Sequence, residues 1–355
     1  MIAENLAPSL NPIRPDAPED IPVLDLGPYL RGEPGALEAT AAALRNALEN
    51  IGFYFIVNHG VDQALVDATF EAARRFHAQP LEDKMALRID PNLLGYLPMK
   101  GTTTRHSAIN ANNRPNLNEA FFVGRELSPD HPDVQAGRPF RALNRWPGKL
   151  PGFRADVLRY CAAMEKLGRS LLPLYAVALG LEPEFLLRGF EEPMFTLRMS
   201  HYPRTEALQD NEFGLAPHSD TSFMTLLPEN RVPGLSIRLP TGRWVDAPVL
   251  EGSFLVNGGD LMRRYTNDRF LATPHKVVNR SGVERYAIPF FMDCSYDFVM
   301  HCLPTCQGPD NPPRYKPISY AEYQAFYRSA NYGPVPGAGV DAQGGAAASV
   351  QAGAA

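Results

Sequence analysis

Basic runs, long apolar runs and paired cysteines are all missing from this chain. No cluster of Lys and Arg is dense enough to follow a phosphate backbone, and the formal net charge is −5, so no nucleic-acid partner is expected. No uninterrupted apolar segment reaches the ~20 residues that span a bilayer, so no membrane partner is expected either. The N-terminus, MIAENLAPSLNPIRPDAPED, lacks a basic stretch followed by an apolar one and does not read as a secretory signal. Only four cysteines occur, Cys161, Cys294, Cys302 and Cys306, too few for a disulfide scaffold. Cys302 and Cys306 have no second pair with which to complete a metal site. Together these absences predict a soluble, cytoplasmic protein with free thiols.

The 355 residues are 45% hydrophobic and 21% charged, ample for a large core. Residues 1–19 are Pro-rich and polar, and a flexible N-terminus is expected there. Residues 333–355, GPVPGAGVDAQGGAAASVQAGAA, lack large apolar groups and are expected to be disordered. The body opens with IPVLDL (21–26), which alternates like a strand. Leu37, Ala41, Leu44 and Leu48 then mark one face of a helix. GFYFIVNHGV (52–61) reads as a buried strand ending in a turn, and a second helix follows over 62–77. Residues 90–150 are rich in Asn, Thr, Pro and Arg and read as long irregular surface structure, which in a compact domain is usually functional. A long helix is expected over 151–180, a shorter one near 183–190 and a last one over 319–332. From 195 to 300, short β runs are separated by Gly, Pro and Asn turns, as in a sandwich or barrel. The fold class is mainly β with flanking helices: an N-terminal region (20–150) packing on a helical backbone and β core (151–332).

Within that core, APHSDTSFMTLL (216–227) sets His218 and Asp220 two residues apart at the start of an apolar run. On a strand, such residues share a face and can chelate one cation. ATPHKVVN adds His275 at the head of another apolar run, and GVERYAIPFF adds Arg285. RSG (280–282) reads as a three-residue hairpin loop with Gly282 in the left-handed position. That register sets Val277 against Arg285 and His275 against Ala287, with Arg285 beside His275 on one face. Two imidazoles and a carboxylate leave three positions of an octahedron open, as in the facial triad of non-haem Fe(II) oxygenases. A structural zinc site would be closed by a fourth ligand, and none is evident. A buried Arg needs an anion, and a dicarboxylate chelating the iron at one end would supply it at the other.

These residues carry a family resemblance. With NEAFFVG (118–124), WPGKLPGFR (146–154), HYP (201–203), HSD (218–220), VNGGDLMRRYTNDRF (256–270), TPHKVVN (273–279) and RYAIPFF (285–291) in this order, residues 20–330 resemble the Fe(II)/2-oxoglutarate-dependent dioxygenases of the isopenicillin N synthase-like class. The resemblance implies a double-stranded β-helix (jelly-roll) core holding iron in its mouth. It implies that His218, Asp220 and His275 bind Fe(II), that Arg285 holds the distal carboxylate of 2-oxoglutarate, and that Tyr202 adds a hydroxyl. It also implies an O2-dependent oxidation of a small organic molecule by hydroxylation, desaturation or cyclisation, in secondary or specialised metabolism.

One departure stands out. The family's Arg-x-Ser is here Arg285-Tyr286-Ala287, which leaves open an oxidase that uses O2 without 2-oxoglutarate; Ser200 stands where many plant members have Asn. A non-catalytic ligand-binding relative has no use for three open iron positions, and a zinc or manganese hydrolase would need a general base that is not evident. Asp220 is not the Gly or Ala of a halogenase. His59 reads as a turn residue; His201 alternates with Tyr202, so both cannot face the iron, and the resemblance favours Tyr202. Phe290 and Phe291 are expected in the core. Segment 90–122 is expected to line the substrate pocket through Arg105, Asn118 and Phe121, with the helix at 320–332 as a lid.

Overall fold

Two amphipathic patterns at the N-terminal end fold as their spacing predicts. After β1 (Val23–Asp25) and a short α1 (Gly27–Leu30), α2 (Ala36–Asn50) buries Ala41, Leu44 and Leu48. Strand β2 (Phe53–Val57) leads to α3 (Gln63–His77), whose N-cap Asp62 accepts a hydrogen bond from the Ala64 N–H at 2.9 Å. Short α4 (Leu81–Met85) precedes β3 (Gly95–Leu97) and β4 (Glu119–Gly124); α5 (Pro132–Gln135) and the long α6 (Phe153–Ala178) follow. The computed structural model describes residues 10, 12–104, 107, 109, 114–205 and 208–332. The C-terminal tail and most of the N-terminal segment expected to be loose lie outside these. Within that N-terminal segment, however, Arg14 is tied down: its N–H donates to Pro240 O at 2.8 Å and its guanidinium to Asn50 O at 3.0 Å.

The second half is β-rich: β5 (Pro193–Tyr202), β6 (Leu215–His218), β7 (Met224–Pro228), β8 (Leu235–Arg238), β9 (Trp244–Asp246) and β10 (Phe254–Gly258). Helix α7 (Asp260–Tyr265) then precedes β11 (His275–Val277), β12 (Arg285–Ala287) and β13 (Phe290–Ser295). The strand pair β14 (Val299–Met300) and β15 (Ile318–Ser319) and helix α8 (Tyr320–Tyr332) close the described chain. The major sheet runs β1-β2-β10-β7-β13-β5-β4-β3, with β12 also on β5; the minor sheet runs β6-β11-β8-β9. Together they form the double-stranded β-helix core. Helices α2, α3 and α6 cover the outer face of the major sheet and make the large apolar core with it, including Leu44, Phe76, Met164, Leu226 and Met292. A smaller cluster, with Phe53, Phe55, Ile237, Leu255 and Val277, fills part of the space between the sheets.

Three expectations need correction. The hairpin joining His275 to Arg285 does not form: His275 pairs with His218 and Ile237 in the minor sheet, and Arg285 pairs with Tyr202 in the major one. Gly282 does adopt φ 74°, but the segment crosses between sheets because the Asn279 amide donates to Tyr202 O and Pro203 O, both at 3.1 Å. Arg285 therefore faces His275 across the barrel instead of lying beside it. Next, residues 90–150 are not wholly irregular, since β4 lies buried between β3 and β5. A strand buried on both faces shows no alternation for a reader of sequence to find. Finally, the run ERYAIPFFM breaks at Pro289, which has no N–H to give a ladder.

Candidate active site

The strand ends that face one another across the barrel mouth bring the predicted residues together. Because β11 and β6 are antiparallel with His275 opposite His218, the two rings lie 4.4 Å apart between centroids. Asp220 sits just beyond the end of β6, and its Oδ1 is 3.6 Å from His218 Nε2 and 3.5 Å from His275 Nε2. Each imidazole donates its Nδ1 proton to a carbonyl, His218 to Ala216 O at 2.9 Å and His275 to Thr273 O at 3.2 Å. Both Nε2 lone pairs are thereby turned toward the carboxylate. Asp220 Oδ2 accepts from Thr225 Oγ1 at 2.7 Å and Asn257 Nδ2 at 2.9 Å, which leaves Oδ1 to complete the cluster. Burial would push the Asp220 carboxyl up, but the two imidazoles hold it well below the usual carboxylate range. Burial and the nearby His275 push His218 down. One anionic and two imidazole donors converge on one point, the donor set a divalent iron requires.

Helix α7 fixes the Asp220 loop. The Asp260 and Leu261 N–H groups, at the head of the helix, donate to Asp220 O at 2.8 Å and Thr221 O at 3.2 Å. Gly259 permits this approach: a Cβ there would meet Ser222 O at 2.2 Å. Gly259→Ala should therefore displace the loop and cost about 1–3 kcal/mol of stability, the usual range for overpacking. A thermal melt would register the loss, and an Fe(II) titration should show weakened binding; an unchanged variant would remove α7 from this role.

Arg285 lies on the facing sheet, 2% exposed. Its Nε donates to Val232 O at 3.2 Å, its guanidinium stacks 5.2 Å from the centre of the Tyr202 ring, and its Nη1 has no partner among the described residues. Burial pushes its pKa down, and the neighbouring Tyr202 offsets this only in part. An unpaired cation at the floor of a cavity is poised for a carboxylate. Across the ladder from Ala287 stands Ser200, whose buried hydroxyl also lacks a partner among the described residues. The same cavity is lined by the three converging residues, Tyr202, Arg285 and Ala287, together with Thr102, Asn116, Arg198, Asp293, Gln324 and Tyr327. Asp293, which sequence reasoning missed, is pushed up to about 7 by burial.

The substrate contacts fare differently. Phe121 is fully buried against Phe76 and Phe153 in the helical core, and its neighbour Phe122 lines the cavity instead. Asn118 is buried behind the cavity wall, donating to Gly214 O and accepting from Arg198. Arg105 lies outside the described residues. Phe290 is in the core as expected, but Phe291 lines the cavity because successive residues of β13 face opposite ways. His59 is a turn residue: its Nδ1 accepts from the Val61 N–H at 3.1 Å. His201 points to the other side of β5, where Glu119 lies 2.7 Å from it, 3.4 Å from His77 and 2.9 Å from Lys84 Nζ. There the lysine balances the carboxylate, so that cluster needs no cation. Asn257 and Thr225, also missed, carry only the weak signal of polar residues inside apolar strands.

A jelly roll with two imidazoles, one carboxylate and a buried cation across its mouth defines a non-haem iron oxygenase that uses a dicarboxylate. Residues 193–293 match the model of the 2OG-Fe(II) oxygenase superfamily, and residues 21–149 match that of the non-haem dioxygenase in morphine synthesis N-terminal region. The chain is 34% identical to the 2-oxoglutarate-Fe(II) type oxidoreductase hxnY of Emericella nidulans over 89% of this chain and 92% of that one. It is 31% identical to Kihadalactone A synthase LFS of Citrus sinensis over 86% and 91%. Among solved structures, JOX2 in complex with 2OG, Fe and JA matches with a TM-score of 0.72 and 27% identity, over 94% of this chain and 93% of that one. The chain belongs to the 2OG-Fe(II) oxygenase superfamily. It is an Fe(II)- and 2-oxoglutarate-dependent oxidoreductase that uses O2.

Proposed function

We infer that His218, Asp220 and His275 hold the catalytic Fe(II), and that Arg285, Tyr202 and Ser200 hold the distal carboxylate of 2-oxoglutarate. The single observation that carries this reading is the convergence of both Nε2 atoms on Asp220 Oδ1 opposite the unpaired Nη1 of Arg285. When bound, the iron supplies O2 activation coupled to decarboxylation of 2-oxoglutarate to succinate and CO2. The protein does the rest. Ala216 O and Thr273 O fix the imidazole tautomers, and Thr225 and Asn257 orient the carboxylate. Arg285 and the apolar cluster between the sheets hold the co-substrate in one orientation out of bulk water.

The substrate is a small organic molecule, oxidised by hydroxylation, desaturation or cyclisation in specialised metabolism. Relatives named for such compounds and for a small-molecule complex support this. Helix α8, which brings Gln324 and Tyr327 to the cavity, acts as its lid. Residues 20–150 serve as an N-terminal region packed on the catalytic core of 151–332, in the isopenicillin N synthase-like arrangement. Four unpaired cysteines support a reducing, cytoplasmic setting. Among the described residues no helix is long and apolar enough to cross a membrane.

The test is succinate release from 2-oxoglutarate on addition of Fe(II) under air, which His275→Ala should abolish; release undiminished in that variant would refute the ligand assignment. A separate prediction concerns the missing serine. Ser200→Ala should weaken 2-oxoglutarate binding by roughly tenfold or more, the value of a hydrogen bond to a charged group. Calorimetry on the anaerobic Fe(II) protein reads this directly, and unchanged affinity would remove Ser200 from the co-substrate site.

A further inference from the structure

Three buried donors at the cavity wall have no partner among the described residues: Arg285 Nη1, Ser200 Oγ and Arg198 Nε. The distal carboxylate of 2-oxoglutarate takes the first two. Arg198 is left over. By strand alternation it faces the same side of β5 as Ser200 and Tyr202. It lies four residues from Tyr202, about 13 Å along an extended strand. The co-substrate runs from Arg285 toward His218, Asp220 and His275 on the facing sheet, so Arg198 lies farther along β5, to one side of that path.

The guanidinium is also held in place. Its Nη2 donates to Asn118 Oδ1 at 3.2 Å, and Asn118 is itself fixed by donating to Gly214 O. The guanidinium carbon lies 5.5 Å from the centre of the Phe122 ring. Among the described residues no carboxylate pairs with it, in contrast to Arg141, which is bound to Asp133 and Glu192 at 2.7 Å each. A cation fixed by a neutral amide and an aromatic face, with part of its fork unmatched, is arranged for an external anion. Phe122 and Phe291 nearby on the cavity wall offer apolar surface for the rest of that molecule.

We propose that Arg198 anchors a carboxylate of the primary substrate, which is therefore a small carboxylic acid with an apolar body. The proposal rests on the iron and 2-oxoglutarate reading of the same cavity. Asn118 is the positioning residue that holds the anchor.

The experiment uses the anaerobic full-length protein loaded with Fe(II) and 2-oxoglutarate, with the visible charge-transfer band of that complex as the check on loading. Phenylacetate, 3-phenylpropionate and octanoate are titrated calorimetrically beside their primary amides. At least one acid is expected to bind about tenfold or more tighter than its amide, with the band retained. Arg198→Gln should keep the band and lose the preference, and Arg198→Lys should keep part of it. Equal binding of acids and amides to the wild-type protein, including no binding of either, would overturn the proposal without needing any variant. So would a preference that survives in Arg198→Gln, or an acid that binds only by abolishing the band. Loss of the band in Arg198→Gln alone would assign Arg198 to the co-substrate and overturn it too. No band in the wild-type protein would instead bring down the reading of the site, and this proposal with it.

Discussion

Asp220→Ala is expected to lower 2-oxoglutarate turnover by more than about 100-fold, beyond the 10- to 100-fold that loss of an outer-shell partner typically costs. The side chain supplies the only negative charge in the converging set, and its Oδ1 lies within 3.6 Å of both imidazole Nε2 atoms. Removing it leaves two neutral donors and takes one acceptor from the Thr225 hydroxyl and the Asn257 amide, both of which donate to Oδ2. Asn257→Ala should be milder, because the carboxylate remains and loses only one orienting bond. Succinate production measured at saturating 2-oxoglutarate separates the two. If Asp220→Ala matched Asn257→Ala, the carboxylate would not be a ligand.

For Arg285→Gln, the expected result is a rise of about 10- to 150-fold in the KM for 2-oxoglutarate, the equivalent of a charged hydrogen bond at about 1.5–3 kcal/mol. The maximal rate should change far less, since the guanidinium grips the end of the co-substrate remote from the metal. Stability should move in the opposite direction. Without 2-oxoglutarate this cation is buried with one nitrogen unpartnered among the described residues, so its removal should leave the melting temperature level or raise it. The wild-type protein should gain about 2.7 kcal/mol from 2-oxoglutarate at 100 times its Kd, and the variant only about 0.3–1.4 kcal/mol at that concentration. A variant that loses thermal stability without its ligand, or that keeps the wild-type KM, would contradict the role given to Arg285.

How far sequence alone reaches can be followed residue by residue. His218, Asp220 and His275 were readable because their chemistry is distinctive and their local spacing is short. The faces of α2 and α3 were readable because one side of each is polar. Arg285 was readable as a buried cation, but its sheet was not, since a left-handed Gly282 serves a crossover as well as a hairpin. Phe121 and Phe122 could not be told apart, because a strand apolar on both faces carries no parity. Arg198, inside FTLRMSHYP, looks the same in sequence whether it reaches solvent or a cavity; only the fold shows which.

Iron and co-substrate binding are tested together by an anaerobic titration of the metal-free protein with Fe(II) and then 2-oxoglutarate, followed by the visible spectrum. A charge-transfer band is expected only when both are present, and none is expected in His218→Ala, Asp220→Ala or His275→Ala. Fe(II) binding without a band on addition of 2-oxoglutarate would contradict it.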